Sequence, residues 1–297
     1  ITCRENYRKG IDMYKSNFLR LWLTTALFIS ITLPSNALPV KFHSVNSLFG
    51  ISIRVTNSIC KDDNGFVWAS SKTGILRLTD DDYRIYQLPF ETSGAITVKL
   101  VYGHSNLIAY TNNGQIFSYN PVYDRFDLTI NIHNIITDEH FDFYSLLIDK
   151  SGDFWIALNS GLYKYHQGEL SLIDKTSEDK YLISWMDENQ LIIAQPEGIS
   201  ILDVNSLKSE IIYKNKESNS FLASSLFHDK NQNKLWIGTF SNGLFSFDFN
   251  TANLIHILPS SFPKQPILDI EENSDSTLLI GIDGQGIWEL NKFDNQL

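Results

Sequence analysis

The chain has 297 residues, with 34 acidic and 24 basic side chains and a formal net charge of −10 at pH 7. Such a surface repels phosphate backbones and anionic lipid head groups, so the composition argues against nucleic acid as a partner. Two cysteines cannot supply a disulfide framework, so a large apolar core must stabilise the fold.

The first residues have the pattern of a secretory signal. A basic start with Lys15 and Arg20 precedes an apolar stretch over residues 21–33, and small residues follow up to Ala37. The stretch is shorter than the roughly 20 residues that span a bilayer. An uncleaved anchor is the alternative to cleavage after Ala37. We expect an upstream segment foreign to the fold over residues 1–12, a signal peptide over 13–37 and a folded domain over 38–297.

A repeat with a period near 42 residues organises the rest of the chain. Its strongest copies centre on Trp68, Trp155 and Trp236, where the chain reads NGFVWA, SGDFWIA and NKLWIG. Three weaker copies lack the tryptophan. The six aligned glycines are Gly74, Gly114, Gly161, Gly198, Gly243 and Gly286. This period, with four short strands per unit, predicts a β-propeller.

Each repeat divides into an apolar first strand, a turn, a second strand, a turn ending at the aligned glycine, and two further strands. The tryptophans are expected to pack between neighbouring blades, and the glycines to suit backbone with positive φ. The predicted first strands cover residues 57–61, 97–101, 144–149, 182–186, 222–228 and 267–270. Fourth strands are predicted at 83–88 and 254–258, and the sixth third strand at 287–290.

The fold class is therefore all-β, a propeller of about six four-stranded blades. An early strand over residues 40–45 has no partner in sequence. It either closes a six-bladed ring on the last blade, or the chain is part of a seven-bladed ring.

The repeats resemble the two-component regulator propeller family, most closely over residues 234–248, which read KLWIGTFSNGLFSFD. The resemblance covers roughly residues 40–290. It implies a periplasmic sensor region of a hybrid two-component histidine kinase of the Bacteroidetes type, which responds to a carbohydrate-derived ligand. The kinase would lie outside this chain, in a parent protein of the inner membrane.

The resemblance further implies an oligosaccharide or other periplasmic ligand and a homodimer formed through the full-length receptor. Membrane contact would occur only through regions outside this chain. The histidines lack the spacing of a helical metal site, and no nucleophile elbow or phosphate loop is present. We therefore expect no enzyme activity, no cofactor and no metal. Asp149, Ser151 and Asp153 resemble the start of a calcium loop but lack its later ligands, so a hairpin turn is expected.

The candidate ligand-binding residues lie in turns between second and third strands, which are expected to open on one face of the propeller. Their amide, carboxylate and aromatic groups suit sugar hydroxyls and ring faces. They are Lys72, Asn112, Asn113, Asn159, Glu197, Phe240, Asn242, Asp283 and Gln285. The longest link between blades, predicted over residues 127–143, is a second candidate contact loop.

Two other functions remain open from the sequence. One is a propeller lyase or hydrolase acting on polysaccharides, which would need a cluster of polar residues at the central channel. The predicted first strands are mostly apolar or small, which disfavours it. The other is a structural propeller that mediates dimerisation.

Overall fold

The computed structural model describes residues 50, 55–71, 74–79, 82–91, 97–136, 142–175, 181–215, 221–257 and 264–295. The expected segments over 1–12, 13–37 and 40–45 lie outside these residues. The described part is built almost entirely of β-strands, with one short 3-10 helix, Ile132–Asn134.

The strands form six antiparallel sheets, each made of strands that follow one another in the chain. Sheet I contains β1 (Thr56–Lys61), β2 (Val67–Ser71), β3 (Gly74–Leu78) and β4 (Tyr83–Tyr86). Sheet II contains β5 (Val98–Gly103), β6 (Asn106–Thr111), β7 (Gln115–Asn120) and β8 (Arg125–Asn131). Sheet III contains β9 (Phe143–Ile148), β10 (Phe154–Leu158), β11 (Gly161–His166) and β12 (Glu169–Asp174).

The second half of the chain repeats the pattern. Sheet IV contains β13 (Leu182–Trp185), β14 (Gln190–Gln195), β15 (Gly198–Asp203) and β16 (Lys208–Lys214). Sheet V contains β17 (Ala223–Asp229), β18 (Lys234–Thr239), β19 (Leu244–Asp248) and β20 (Asn253–Ile257). Sheet VI contains β21 (Ile267–Ser274), β22 (Thr277–Ile282) and β23 (Gly286–Asn291), and is three-stranded within the described residues.

The first strand of each sheet packs against the first strand of the next, from β1 through β5, β9, β13 and β17 to β21. First strands therefore lie innermost, around a central channel. Five clusters of buried apolar side chains fill the spaces between consecutive sheets. The protein is a six-bladed β-propeller, which confirms the predicted fold class.

The turns between first and second strands are held by an aspartate side chain. Asp62 accepts hydrogen bonds through Oδ1 from the backbone N–H groups of Asn64 and Phe66, both at 3.0 Å. Asp149 accepts in the same way from Ser151 at 2.8 Å and Asp153 at 3.0 Å. The segment that resembles a calcium loop is thus a hairpin turn organised by its first aspartate.

The three repeated tryptophans are buried between sheets. Trp68 of sheet I lies 4.8 Å, centroid to centroid, from the ring of Tyr119 in sheet II, and Trp155 of sheet III lies 6.5 Å from Trp185 in sheet IV. Trp236 of sheet V packs with Leu278 and other apolar residues of sheet VI. Each tryptophan is thus part of the apolar packing between one pair of neighbouring sheets.

All six aligned glycines have positive φ, between 72° at Gly243 and 158° at Gly198. At Gly161, with φ of 146°, an added Cβ would lie 2.5 Å from the carbonyl oxygen of Asp174 in the fourth strand. A side chain is excluded there by both backbone conformation and close packing.

The predicted link over residues 127–143 is wrong in its bounds. Strand β8 continues to Asn131, and Phe143 already belongs to β9. The alternation of Phe126, Leu128 and Ile130 was available in the sequence as a strand signal, because alternate residues face the same side of a sheet.

Candidate functional site

One face of the propeller carries the second-to-third turns together with the start of every first strand. Neighbouring strands in each sheet are antiparallel and follow chain order, so these two features fall at the same end of each sheet. We call this end the turn face. Eight of the nine candidate ligand-binding residues occupy its turns, and Lys72 lies outside the described residues.

The turns are hydrogen-bonded to the chain that enters the first strand of the same sheet. In four sheets a turn residue donates its backbone N–H to a carbonyl just before that strand: Asn112 to Thr97 at 3.2 Å, Asn159 to Asp142 at 3.1 Å, Phe240 to Leu222 at 3.1 Å and Asp283 to Pro266 at 3.0 Å. The turns are therefore held at the rim of the channel.

Two of the candidate asparagines use their side chains for this attachment. The Oδ1 of Asn112 accepts the backbone N–H of Thr97 at 3.1 Å, and the Oδ1 of Asn159 accepts that of Asp142 at 3.0 Å. Asn113 is also engaged, since its Oδ1 accepts a hydrogen bond from Thr111 at 2.6 Å. These three side chains hold the turns in shape.

The other described candidates leave their polar groups closer to solvent. Glu197, Asn242, Asp283 and Gln285 are exposed, and Phe240 is half-buried beside Leu222. The hydroxyl of Thr239 accepts the backbone N–H of Asn242 at 2.9 Å, which orders that turn. The set is spread around the turn face, turn by turn, and is not gathered at one point.

The channel wall carries charged residues that the sequence argument did not identify. Lys99 is the second residue of β5, while Asp269 and Glu271 are the third and fifth of the eight residues of β21. All three side chains are accessible to solvent. Lys99 and Asp269 belong to sheets II and VI, yet each shifts the pKa of the other. They therefore face a common central space.

The surrounding protein shifts all three pKa values toward the neutral forms of the side chains. Burial lowers the pKa of Lys99, and the nearby charge of Asp269 opposes that shift. Burial raises the pKa of Asp269, opposed by a hydrogen bond from Ile270 and by Lys99. Burial and the Asp269 carboxylate both raise the pKa of Glu271. For all three groups, partial burial thus disfavours the charged form although the side chains remain accessible.

Exposed apolar side chains lie in the first strands or in the residues just before them. Leu222, Leu268 and Val55 are 44%, 60% and 62% exposed, and each lies just before or at the start of a first strand. Ile59, within β1, is 64% exposed. Apolar patches that remain open to solvent mark binding surfaces more often than isolated exposed residues do. The turn face thus combines fixed turns, apolar surface and a charged channel mouth.

Metal-binding and nucleophilic groups are sparse in the described residues. They contain no group of three or more His, Cys, Asp or Glu side chains arranged to hold a metal ion. Burial and the Asp62 carboxylate raise the pKa of the Cys60 thiol to about 12. Among the same residues, no helix is long and apolar enough to cross a membrane.

Lys99 and Asp269 were missed because they lie 170 positions apart in strands predicted to be apolar or small. An available signal was their placement: charged residues within the first strands of repeats, where the fold puts the channel. The first strands are mostly apolar or small, as expected, and Lys99, Asp269 and Glu271 are charged exceptions within them.

No protein-family model matches the chain, and no curated protein matches it. Solved structures do match. The chain is similar to the extracellular domain of a hybrid two-component system, BT3049, from B. thetaiotaomicron, with a TM-score of 0.60 and 18% identity, covering 82% of this chain and 34% of that one. The chain spans about a third of the length of that structure.

Two further similar structures have other roles. Virginiamycin B lyase from Staphylococcus aureus matches with a TM-score of 0.60 and 14% identity, covering 80% of this chain and 84% of that one. The WD40 β-propeller domain of Doa1 matches with a TM-score of 0.61 and 12% identity, covering 80% and 79%. At these identities the comparisons place the chain among β-propellers by its fold.

Proposed function

We propose that the chain is an exported, ligand-binding propeller that serves as a sensor segment of a two-component signalling system. The observation that carries the proposal is the turn face, where fixed turns surround an accessible channel mouth with both charged and apolar side chains. Rigid elements that present polar groups around an opening suit recognition of a small ligand. The fold likeness to the extracellular domain of a hybrid two-component system supports this role.

A carbohydrate-derived ligand agrees best with the side chains on this face. Glu197, Asn242 and Asp283 offer amide and carboxylate groups to hydroxyls, and Phe240 and Leu222 offer apolar surface to a ring face. A ligand that contacts turns of several sheets at once would favour one spacing of those sheets over others. The resulting change in the spacing of the sheets would be relayed to a histidine kinase outside this chain, in a receptor that dimerises at full length.

The proposed export to the periplasm rests on the signal-like residues 13–37. Expression of the whole chain in a Gram-negative host would yield a secreted form whose N-terminus, by mass spectrometry, is Leu38. Replacing Ala37 by a bulky residue, Ala37→Trp, would block processing after that position. A cytoplasmic product with an intact N-terminus would contradict this part of the proposal.

Ligand binding is tested by thermal unfolding of the processed protein with plant, host and microbial oligosaccharides. One sugar class is expected to raise the Tm in a concentration-dependent way, by an amount that reflects about 2.7 kcal/mol at a ligand concentration 100 times Kd. Phe240→Ala combined with Asn242→Ala should abolish the shift. Val122→Ala is the matched control, because Val122 is 83% exposed in a third-to-fourth turn at the opposite end of its sheet.

The absence of a Tm shift with any sugar would count against carbohydrate as the ligand. A shift that survives the Phe240 and Asn242 substitutions would count against the turn face as its site. A stable dimer that binds none of the sugars would favour the structural role.

A second candidate function, polysaccharide cleavage, is favoured by one observation. The pKa values of Lys99, Asp269 and Glu271 are moved toward the range in which proton transfer is efficient. Release of reducing ends or of unsaturated sugars from polysaccharides would support it, provided that Glu271→Gln abolishes the release. Binding without turnover would leave the sensor role.

A further inference from the structure

The chain contains three asparagines that are followed directly by glycine, Asn64, Asn113 and Asn242, and all three lie in the described residues. An asparagine in this setting can react with its own backbone. The glycine nitrogen attacks the side-chain carbonyl carbon, and the missing Cβ of glycine leaves that nitrogen accessible. The reaction requires a free glycine N–H and a side chain that can turn toward it.

Two of the three pairs are closed by a turn hydrogen bond. The N–H of Gly65 donates to the carbonyl of Asp62 at 2.9 Å, and the N–H of Gly114 donates to the carbonyl of Thr111 at 3.1 Å. Each of these bonds must open before the glycine nitrogen can attack. Reaction at Asn64 and Asn113 is therefore restrained by the fold.

The side chain of Asn113 is restrained as well. Its Oδ1 accepts hydrogen bonds from the hydroxyl of Thr111 at 2.6 Å and from Nε2 of Gln115 at 3.2 Å. Turning this side chain toward Gly114 would break both bonds. Asn113 is thus the most firmly held of the three asparagines.

The third pair, Asn242 with Gly243, has neither restraint. Within the described residues, the N–H of Gly243 donates to no backbone carbonyl. The Asn242 side chain is exposed, and the hydroxyl of Ser241 lies 3.4 Å from its Oδ1. A donor on that side favours attack, because negative charge develops on Oδ1 when the carbonyl carbon is attacked.

The backbone of Asn242 is held in a way that activates the next peptide nitrogen. Nε2 of His256 lies 2.7 Å from the carbonyl oxygen of Asn242, and because a carbonyl only accepts, Nε2 carries the proton. The His256 ring is fixed by stacking on Phe245 at 4.4 Å between centroids. This hydrogen bond draws electron density from the peptide that joins Asn242 to Gly243. The N–H of Gly243 therefore loses its proton more readily.

We propose that Asn242 is a site of intramolecular deamidation, which converts this part of the turn face from an amide to a carboxylate. The deprotonated nitrogen of Gly243 bonds to Cγ of Asn242, and the side-chain nitrogen takes a proton from water and leaves as ammonia. The product is a five-membered succinimide ring. Water then opens either of its two C–N bonds and gives aspartate or isoaspartate. Overall, one water is consumed and one ammonia is released.

The modification changes what the turn can bind. The amide of Asn242 has two N–H donors, whereas a carboxylate has none and adds a negative charge. Isoaspartate also lengthens the backbone by one methylene group. The inference goes beyond ligand binding and is measured without a ligand, so it would stand even if the turn face bound no sugar.

The test is incubation of the full chain at neutral pH in water labelled with heavy oxygen, followed by peptide mass spectrometry at the three asparagines. Label in the product shows that the ring opened during the incubation. Asn242 is expected to react at least about tenfold faster than Asn113, since each hydrogen bond that must open lowers the reactive population roughly fivefold. In concentrated urea, where the turns are lost, the three rates should converge.

Two variants test the contacts in opposite directions. His256→Phe keeps a ring beside Phe245 but removes the donor, and it should slow the reaction of Asn242 about threefold or more. Thr111→Val removes a hydrogen bond from Asn113 and should speed the reaction there roughly fivefold. Asn64 is the internal control and should react at the same rate in both variants.

Other results would overturn the proposal. One is a rate at Asn242 no greater than the rates at Asn64 and Asn113 in the folded chain. Another is the same order of rates in urea, which would assign the difference to the neighbouring sequence instead of the fold. If a variant does not fold, the comparison of the three sites in the unaltered chain, with and without urea, still decides the question.

Discussion

The carboxylate of Asp62 accepts a hydrogen bond from the indole Nε1 of Trp68 at 2.8 Å, while its other oxygen holds the turn between them. The pair recurs in sheet III, where Asp149 accepts from Trp155 at 3.1 Å. One aspartate thus both shapes the hairpin and satisfies the buried tryptophan. This coupling accounts for the two residue types recurring together in sheets I and III; in sheet V, by contrast, the buried Nε1 of Trp236 has no hydrogen-bond partner among the described residues.

Asp149→Ala is expected to lower the free energy of unfolding by about 2–4 kcal/mol, because it leaves the indole N–H and two turn amides without their acceptor. Chemical denaturation would measure the change. Asp187→Ala is the control, since Asp187 is exposed and accepts from Asn189 in the turn of a sheet without a tryptophan at this position. Its cost should be about 0.5 kcal/mol. Equal costs would show that the Asp149 side chain acts only in its turn.

Lys292 anchors sheet VI to sheet V. Its buried Nζ lies 3.0 Å from Asp229 of sheet V and also donates to Glu272. Burial alone would lower the pKa of Lys292, but the two carboxylates outweigh it and raise that pKa, so the side chain stays charged. Lys292→Met should cost about 3–5 kcal/mol, because Asp229 is left charged and buried.

Chemical denaturation would measure this cost. The double variant Lys292→Met/Asp229→Asn should regain part of the lost free energy of unfolding, because the buried carboxylate is removed. Lys150→Met, which breaks an exposed ion pair with Glu188 at 3.8 Å, should cost less than about 0.5 kcal/mol. If Lys292→Met and Lys150→Met had similar effects, the buried pair would have no special role in joining the sheets.

Gly161→Ala should destabilise the protein by about 3 kcal/mol or more, since a strained φ is combined with a clash against the Asp174 carbonyl. Gly168→Ala is the matched control. Gly168 has φ of 93° with no atom within 4 Å of an added Cβ, so only the backbone cost of about 1 kcal/mol applies. Thermal unfolding of both variants should rank them in this order, and the reverse order would contradict the close packing of the fourth strand.

The channel groups give a pH prediction with a defined sign. The folded protein holds protons on Asp269 and Glu271 more tightly than the unfolded chain does, so their contribution to stability is largest at acidic pH. It falls as pH rises from the unfolded value, 3.8 for Asp269, through the raised folded value. In Asp269→Asn this part of the pH dependence should shrink.

The same variant should move two other pKa values in NMR titrations. The pKa of Lys99 should fall further, because an attractive charge is lost, and that of Glu271 should fall toward its usual value, because a repulsive one is lost. Asp203→Asn, at the end of β15 that is far from the turn face, should change neither pKa. An unchanged pKa of Lys99 in Asp269→Asn would mean that Lys99 and Asp269 do not share the channel.

The repeat made the fold predictable because each sheet depends on residues close together in sequence. The strand from Tyr83 begins where it was predicted, since turn residues and alternation both mark it. Strand β21 runs four residues beyond its predicted end at Ile270, because Glu271 and Glu272 do not look like strand interior. They face the channel and Lys292, so their neighbours are distant in sequence.

The candidate site was predictable only as a location. The turn positions follow from the aligned glycines, so Asn242 and Asp283 could be placed on the turn face. The side chains of Asn112 and Asn159 bind the backbone just before the first strand. The sequence could not show this, because their partners Thr97 and Asp142 lie 15 and 17 positions away. The interaction between Lys99 and Asp269 could not be predicted without the ring arrangement of the sheets, because the two residues belong to different sheets.

The high pKa of Cys60 has a practical consequence for studying this propeller. With a value of about 12, only about one thiol in 10⁵ is ionised at pH 7, so alkylating reagents should leave it unmodified. A cysteine placed in an exposed turn beside the candidate residues, such as Ser241→Cys in the protein processed after Ala37, which lacks Cys3, would carry a fluorophore without competition from Cys60. The propeller then becomes its own reporter, and occupancy of the turn face can be followed by emission from a single dye.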